Sequence, residues 1–127
     1  MNNILVYVYG TLRQGEINHT RFLRGLEPIT TQHIGGFSMY TRGAFPIVVP
    51  SDNTNDIVVE LYEVSAGTMK NLDRLEGYPH FYNRKIVKTP DGRDAWIYYL
   101  ERRPHGGDTH IESGDWIEFL DAPQEVA

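Results

Sequence analysis

Val6-Tyr7-Val8-Tyr9-Gly10-Thr11-Leu12-Arg13 is the stretch on which the reading of this chain turns. It continues the apolar run that begins at Ile4 and stops at a glycine. A β-rich run with no regular polar alternation predicts a strand from Asn3 to Val8 that is buried on both faces. A strand entering a tight turn at Gly10 leaves successive backbone N–H groups without ladder partners. Those groups either form a nest for a carboxylate or a developing oxyanion, or belong to a plain strand-to-loop turn. The spacing is not that of a Walker loop, and the Gly-x-Gly-x-x-Gly of dinucleotide folds is missing.

A second segment, Leu75-Glu76-Gly77-Tyr78-Pro79, lies far along the chain and is followed by Tyr82 and Arg84. Ser65 can cap a helix from Ala66 to Glu76, with Met69, Leu72 and Leu75 at helical spacing on its inner face. Gly77 and Pro79 stop that helix. Glu76 therefore falls at a helix C-terminus, where the macrodipole disfavours a carboxylate, beside the apolar Leu75, Tyr78 and Phe81. Both effects raise a carboxyl pKa toward the range a general base needs. The alternative is an exposed glutamate at a helix end.

The remaining elements follow from these two. Asn18 to Leu23 predicts a short amphipathic helix with Asn18 as N-cap and Gly25 as its stop. Glu27 to Tyr40, broken at Gly35-Gly36, predicts one bent strand or two. Thr41 to Pro50 is expected to be a loop and Ser51 to Asp56 a polar turn. Ile57 to Val64 predicts a strand. Phe81 to Thr89 and Asp94 to Leu100 predict a hairpin across Pro90-Asp91-Gly92-Arg93. Ser113-Gly114-Asp115-Trp116 is expected to be a compact turn. The order β, α, β, β, α, β, β predicts an α+β fold: a mixed, strongly bent sheet or small barrel flanked by short helices.

The chain has 127 residues, which suits a single domain over 1–120 with a mobile tail over 121–127. Hydrophobic content of 40% with 12% aromatics is enough for a packed core. The absence of cysteine excludes thiol nucleophiles, thiolate zinc sites and disulfide frameworks. A net charge of −5 with scattered Lys and Arg argues against a nucleic-acid surface. No run has the ~18 apolar residues of a membrane span, and the first ten residues lack the pattern of a signal peptide. A soluble, cytoplasmic monomer is the expectation.

Other candidate sites are weaker. His105 and His110 flank Gly106-Gly107-Asp108 at a spacing that matches no standard metal-ligand pattern. Ser113 is not in a Gly-x-Ser-x-Gly elbow. Glu60 and Glu63 have an odd offset on one strand and point to opposite faces. Glu60 is either a buried, hydrogen-bonded acid or an outward charge.

With both segments in view, the chain resembles the gamma-glutamylcyclotransferase-like superfamily, and within it the small bacterial branch similar to the gamma-glutamylamine cyclotransferases. The match begins at Val6 to Arg13, close to that family's Tyr-Gly-Ser-Leu start, with Thr11 keeping the hydroxyl. It runs through Tyr40, Gly43, Phe45-Pro46 and Pro50, then Glu60-Leu61-Tyr62. It continues through Leu72-Asp73, Leu75-Glu76-Gly77, Pro79, Tyr82 and Arg84, and closes with Ala95-Trp96-Ile97-Tyr98 and Ser113 to Trp116. Val59 departs from the glycine many relatives carry before Glu60-Leu61-Tyr62, which puts the pocket's size in question.

The resemblance implies a compact β-barrel flanked by helices with a pocket at one mouth. It implies that the Tyr9-Gly10-Thr11-Leu12 turn holds the alpha-carboxylate of a gamma-glutamyl group, and that Glu76 takes a proton from the substrate's alpha-ammonium. The freed amine then attacks the substrate's own gamma-carbonyl, giving 5-oxoproline and a released amine with no metal or organic cofactor. Tyr82 is either a pocket donor or a core tyrosine. Tyr40 and Phe45 either wall the pocket or pack the core, and Arg84 is expected to pair with an acid near the pocket. The alternative function is a non-catalytic member of the same fold that binds a small anionic metabolite.

Overall fold

The computed structural model describes residues 3–52, 56–101 and 106–122. The fold is α+β, with eight strands in two sheets and three short helices among the described residues. The first strand, β1 (Ile4–Val8), is followed by helix α1 (His19–Phe22), then β2 (Thr30–Ile34), β3 (Phe37–Thr41), β4 (Pro46–Pro50) and β5 (Ile57–Val64). Helix α2 (Ala66–Glu76) leads into the hairpin β6 (Asn83–Lys88) and β7 (Asp94–Tyr99), and the chain ends with β8 (Thr109–His110) and α3 (Trp116–Asp121).

The larger sheet has the order β2-β5-β1-β7-β6, and the smaller one β4-β3-β8. Strand β1 sits at the centre of the larger sheet, antiparallel to β5 and parallel to β7. It is covered on both faces, as its unbroken apolar run requires. Val6 and Val8 enter one core cluster with Leu72 and Met69 of α2, while Tyr7 enters a second with Met39, Ile57 and Trp116. A backbone bond from the Leu100 N–H to the Val48 carbonyl, 2.9 Å long, ties the end of β7 to β4 and so joins the two sheets.

Helix α2 has the bounds its sequence predicts. The Ser65 hydroxyl accepts from the Thr68 N–H at 3.1 Å. Gly77 ends the helix in the left-handed region at φ 66°, where a side chain would be strained. Met69 and Leu72 are buried, and Leu75 is partly so. The chain then passes through a cis Tyr78–Pro79 peptide into β6.

Four expectations are corrected. Residues Pro46–Pro50 form a strand rather than loop. Ile47-Val48-Val49 supplies the β-branched stretch, and β4 is an edge strand, where prolines cost no ladder bond. The Ser113 to Trp116 turn opens into α3, whose N-cap is Asp115: its carboxylate accepts from the Ile117 and Glu118 N–H groups. Asp121, assigned above to the tail, is the last residue of that helix. Asn18 stands at the N-cap of α1 without capping it: its backbone there is helical rather than extended, and its side-chain N–H is turned to the Thr11 hydroxyl. The expected break at Gly35-Gly36 does separate two strands, β2 and β3. Residues 53–55 of the predicted polar turn, His105, and 123–127 of the predicted tail lie outside the described residues. No helix among the described residues is long and apolar enough to cross a membrane.

Candidate active site

The end of β1, the end of α2 and the start of β4 converge on a cavity of about 500 Å3. Tyr9, Gly10, Thr11 and Leu12 form one wall, and Glu76 and Tyr82 another. The two segments singled out in the sequence therefore face each other across one space.

The Tyr9 to Leu12 wall is a folded turn. Two of its carbonyls are occupied, Gly10 accepting from the Arg13 N–H at 3.0 Å and Thr11 from the Asn18 N–H at 2.9 Å. The N–H groups of Gly10, Thr11 and Leu12 donate to no protein acceptor among the described residues. The Asn18 amide also donates to the Thr11 hydroxyl at 2.9 Å, which fixes that side chain. Gly10 is needed for space: a Cβ there would lie 2.6 Å from Pro46 Cγ.

The turn is anchored from behind by a buried ionic cluster. The Arg13 Nε donates to Glu60 at 2.8 Å and its terminal nitrogen to Asp115 at 2.8 Å. Glu60 also accepts from the Gln14 N–H at 2.8 Å and the Tyr62 hydroxyl at 2.9 Å. Glu60 is thus the buried, hydrogen-bonded acid of the two alternatives. It ties the turn to β5, and Asp115 ties it to the start of α3.

Glu76 is the last residue of α2, held at the wall by the Gly77 cap. Its carboxylate has no hydrogen-bond or ionic partner among the described residues. Burial pushes its pKa up from 4.5 to about 7. A carboxyl with that pKa is divided between its acid and base forms near neutrality.

Two phenols complete this part of the cavity. The Tyr82 hydroxyl donates to the Pro46 carbonyl at 3.0 Å, and the Tyr9 hydroxyl to the Tyr98 carbonyl at 2.8 Å. Burial first, and then the neighbouring Glu76, raises both pKa values, with Tyr82 adding to the rise at Tyr9, so both rings stay neutral. Tyr98 also lines the cavity, and its hydroxyl donates to Asp73 at 2.8 Å. Asp73 also accepts from Arg84 at 2.9 Å, as expected of that arginine, whose guanidinium is stacked between Tyr78 and Trp96.

Phe45 lines the cavity, whereas Tyr40 does not. Tyr40 faces His110 across the β3–β8 pair, with ring centroids 4.9 Å apart. Val59 is fully buried in the second core cluster and does not touch the cavity, so its bulk leaves the pocket's width unaffected. Sequence reasoning gave no site role to Ile17, Ala44 or Phe81 as lining residues. Ile17 sits in an irregular segment that offers no periodic signal. Phe81 was legible only as an apolar neighbour of Glu76.

A bent mixed sheet whose central strand ends in an N–H-rich turn, opposite a carboxyl on a helix end, bounds a pocket of small-molecule size. The family model for "Gamma-glutamyl cyclotransferase, AIG2-like" matches residues 6–118, and the chain belongs to that family. It is 32% identical over 113 residues to the gamma-glutamylcyclotransferase family protein YtfP of Escherichia coli K12, covering 89% of this chain and 96% of that one. The Pyrococcus horikoshii protein PH0828 has a similar structure, with a TM-score of 0.76, 29% identity and 92% of each chain covered. A mouse AIG2-like protein shares the fold at a TM-score of 0.68 and 20% identity, over 98% of this chain and 87% of its own. The family and the name of the Escherichia coli relative support gamma-glutamylcyclotransferase activity in general.

Proposed function

We infer that this chain cleaves a gamma-glutamyl amide by intramolecular cyclisation, releasing 5-oxoproline and a free amine. The observation that carries the reading is the unpartnered Glu76 carboxyl in the same cavity as the free N–H groups of Gly10, Thr11 and Leu12. The turn binds the substrate's alpha-carboxylate, a role suited to successive backbone donors. Glu76 in its carboxylate form takes a proton from the alpha-ammonium. The freed nitrogen attacks the gamma-carbonyl carbon, forming the ring C–N bond as the amide C–N bond breaks. The proton held by Glu76 and the second proton that the ring nitrogen sheds as it becomes an amide both pass to the departing nitrogen, which leaves as an ammonium, and the Glu76 carboxylate is restored.

The substrate supplies its own nucleophile, so the reaction asks no Ser or Cys of the protein. Holding the substrate folded supplies much of the rate, because an oriented intramolecular attack removes most of the entropic barrier. Neutral Tyr82 and Tyr9 border this space, and their burial keeps them as phenols beside the reacting groups.

The test is 5-oxoproline release from a panel of gamma-glutamyl amides by the wild-type protein and Glu76→Gln in parallel. Release by the wild type alone supports both the reaction and the base. Binding of the same amides without release by either protein would favour the non-catalytic alternative.

A further inference from the structure

The cavity has two chemically different parts. One holds the free N–H groups, Glu76 and the phenols. The other is apolar and open to solvent, and is made by Ile17, Ala44, Phe45 and Phe81. Of the six large hydrophobic side chains exposed among the described residues, three line this cavity: Ile17 at 82%, Phe81 at 41% and Phe45 at 37% exposure. Single exposed apolar residues need no explanation, but a cluster at the mouth of a pocket marks a surface that meets something apolar. The Phe45 and Phe81 rings meet edge to face with centroids 6.2 Å apart, and Phe81 meets Tyr82 in the same way at 4.8 Å. The apolar part therefore runs continuously into the reacting part.

Charge complementarity points the same way. Among the described residues, no Lys or Arg lines the cavity. Arg42 is near enough to influence Tyr82, yet its guanidinium is paired with Asp108 at 2.7 Å. A leaving group bearing a carboxylate would enter an apolar mouth with no cation among the described residues to meet it, and a desolvated, unpaired charge is costly. A leaving ammonium side chain would likewise find no carboxylate there, since Glu76 is committed to the reacting nitrogen.

We propose that the amine released by this chain is apolar and carries no second charge: an alkyl or arylalkyl primary amine, in preference to an amino acid, a peptide or lysine. The inference rests on the cyclotransferase reading and names the substrate class of that site. The gamma-glutamyl end occupies the polar part, and the amine substituent lies over Ile17, Phe45 and Phe81.

The experiment compares gamma-glutamylbenzylamide, gamma-glutamylhexylamide, gamma-glutamylglycine and epsilon-(gamma-glutamyl)lysine as substrates of the full chain, with 5-oxoproline release as readout. In parallel, calorimetry measures the affinity of each amide for Glu76→Gln. The expected result is a kcat/KM for the benzyl and hexyl amides at least about tenfold above the other two, the discrimination a few apolar contacts provide. Ile17→Lys, an exposed change that adds a cation at the mouth, narrows the gap between benzylamide and glycine by about threefold. Equal or faster turnover of gamma-glutamylglycine overturns the proposal while leaving the cyclotransferase reading intact. If no amide releases 5-oxoproline, that reading fails and the affinities decide. Tighter binding of the benzylamide than of gamma-glutamylglycine sustains the apolar subsite, whereas equal affinity, or none, overturns it.

Discussion

Gly10 and Pro46 approach so closely that a Cβ on Gly10 would lie 2.6 Å from Pro46 Cγ and 2.8 Å from Pro46 Cδ. The proline ring fills the place a side chain would take and sets the turn against β4. Gly10→Ala therefore forces the turn and β4 apart at the cavity wall. The expected cost is about 1–3 kcal/mol of stability, as for other overpacked sites. It should be seen in urea unfolding, with KM raised more than kcat is lowered because the N–H groups move.

Glu76→Gln is expected to reduce turnover at least about 100-fold, the contribution of a positioned general base. Its effect on stability has a defined sign. The folded pKa of about 7 lies above the ordinary 4.5, so the native state binds this proton more tightly than the unfolded chain does. Stability from this group is fully present below pH ~4.5 and is lost as pH rises through about 7. At pH 8 the glutamine variant should melt at a higher temperature than wild type, by the equivalent of at most about 3 kcal/mol. The difference should vanish near pH 4. A lower melting temperature at pH 8 would make Glu76 a structural acid and refute the assignment.

Under the proposed mechanism the same ionisation sets the acid limb of activity. Because the base must be deprotonated, kcat/KM should fall on acidification through about pH 7, losing about tenfold per unit below it. A rate profile flat from pH 8 to pH 5.5 would exclude Glu76 as the proton acceptor.

Glu60 tests the support behind the turn. With Arg13 and Glu60 only 6% and 4% exposed, removing one charge leaves the other buried and under-compensated. Glu60→Gln should cost about 3 kcal/mol in chemical denaturation. Activity per folded molecule should also fall, because the Gln14 N–H loses its charged acceptor and the turn loosens.

Much of this architecture was legible because several local signals agree. In α2, the serine cap, the spacing of Met69, Leu72 and Leu75, and the glycine stop all name the same eleven residues. In β1, an apolar run without alternation predicts burial on both faces, and both core clusters draw on it. Strand β4 was missed because its two prolines and the glycine before it are loop signals. Only its position at a sheet edge makes them compatible with a strand. Helix α3 has six residues, too few for a helical period to register.

The site divides along similar lines. The Tyr9 to Leu12 turn and Glu76 carry their chemistry locally, in a glycine after a strand and a carboxylate at a helix end. The cluster joining Arg13, Glu60 and Asp115 links positions 47 and 102 residues apart, and nothing in any one segment announces the others. Tyr40 and Phe45 are both aromatic residues near the same loop, yet only Phe45 reaches the cavity. The difference lies in the β3–β8 pairing that holds Tyr40 against His110.

The joining of the two sheets through Leu100 and Val48 has a consequence for how the protein can be divided. The cavity is a seam: β1 and the loop after it supply one side, β4 a second, and α2 with the start of β6 a third. No contiguous fragment holds a complete pocket, and a chain cut within β4 or after α2 would have no partial site to retain. Ligand occupancy is therefore coupled to the assembly of the whole fold, so a bound gamma-glutamyl compound would raise the melting temperature of the entire chain in one cooperative transition.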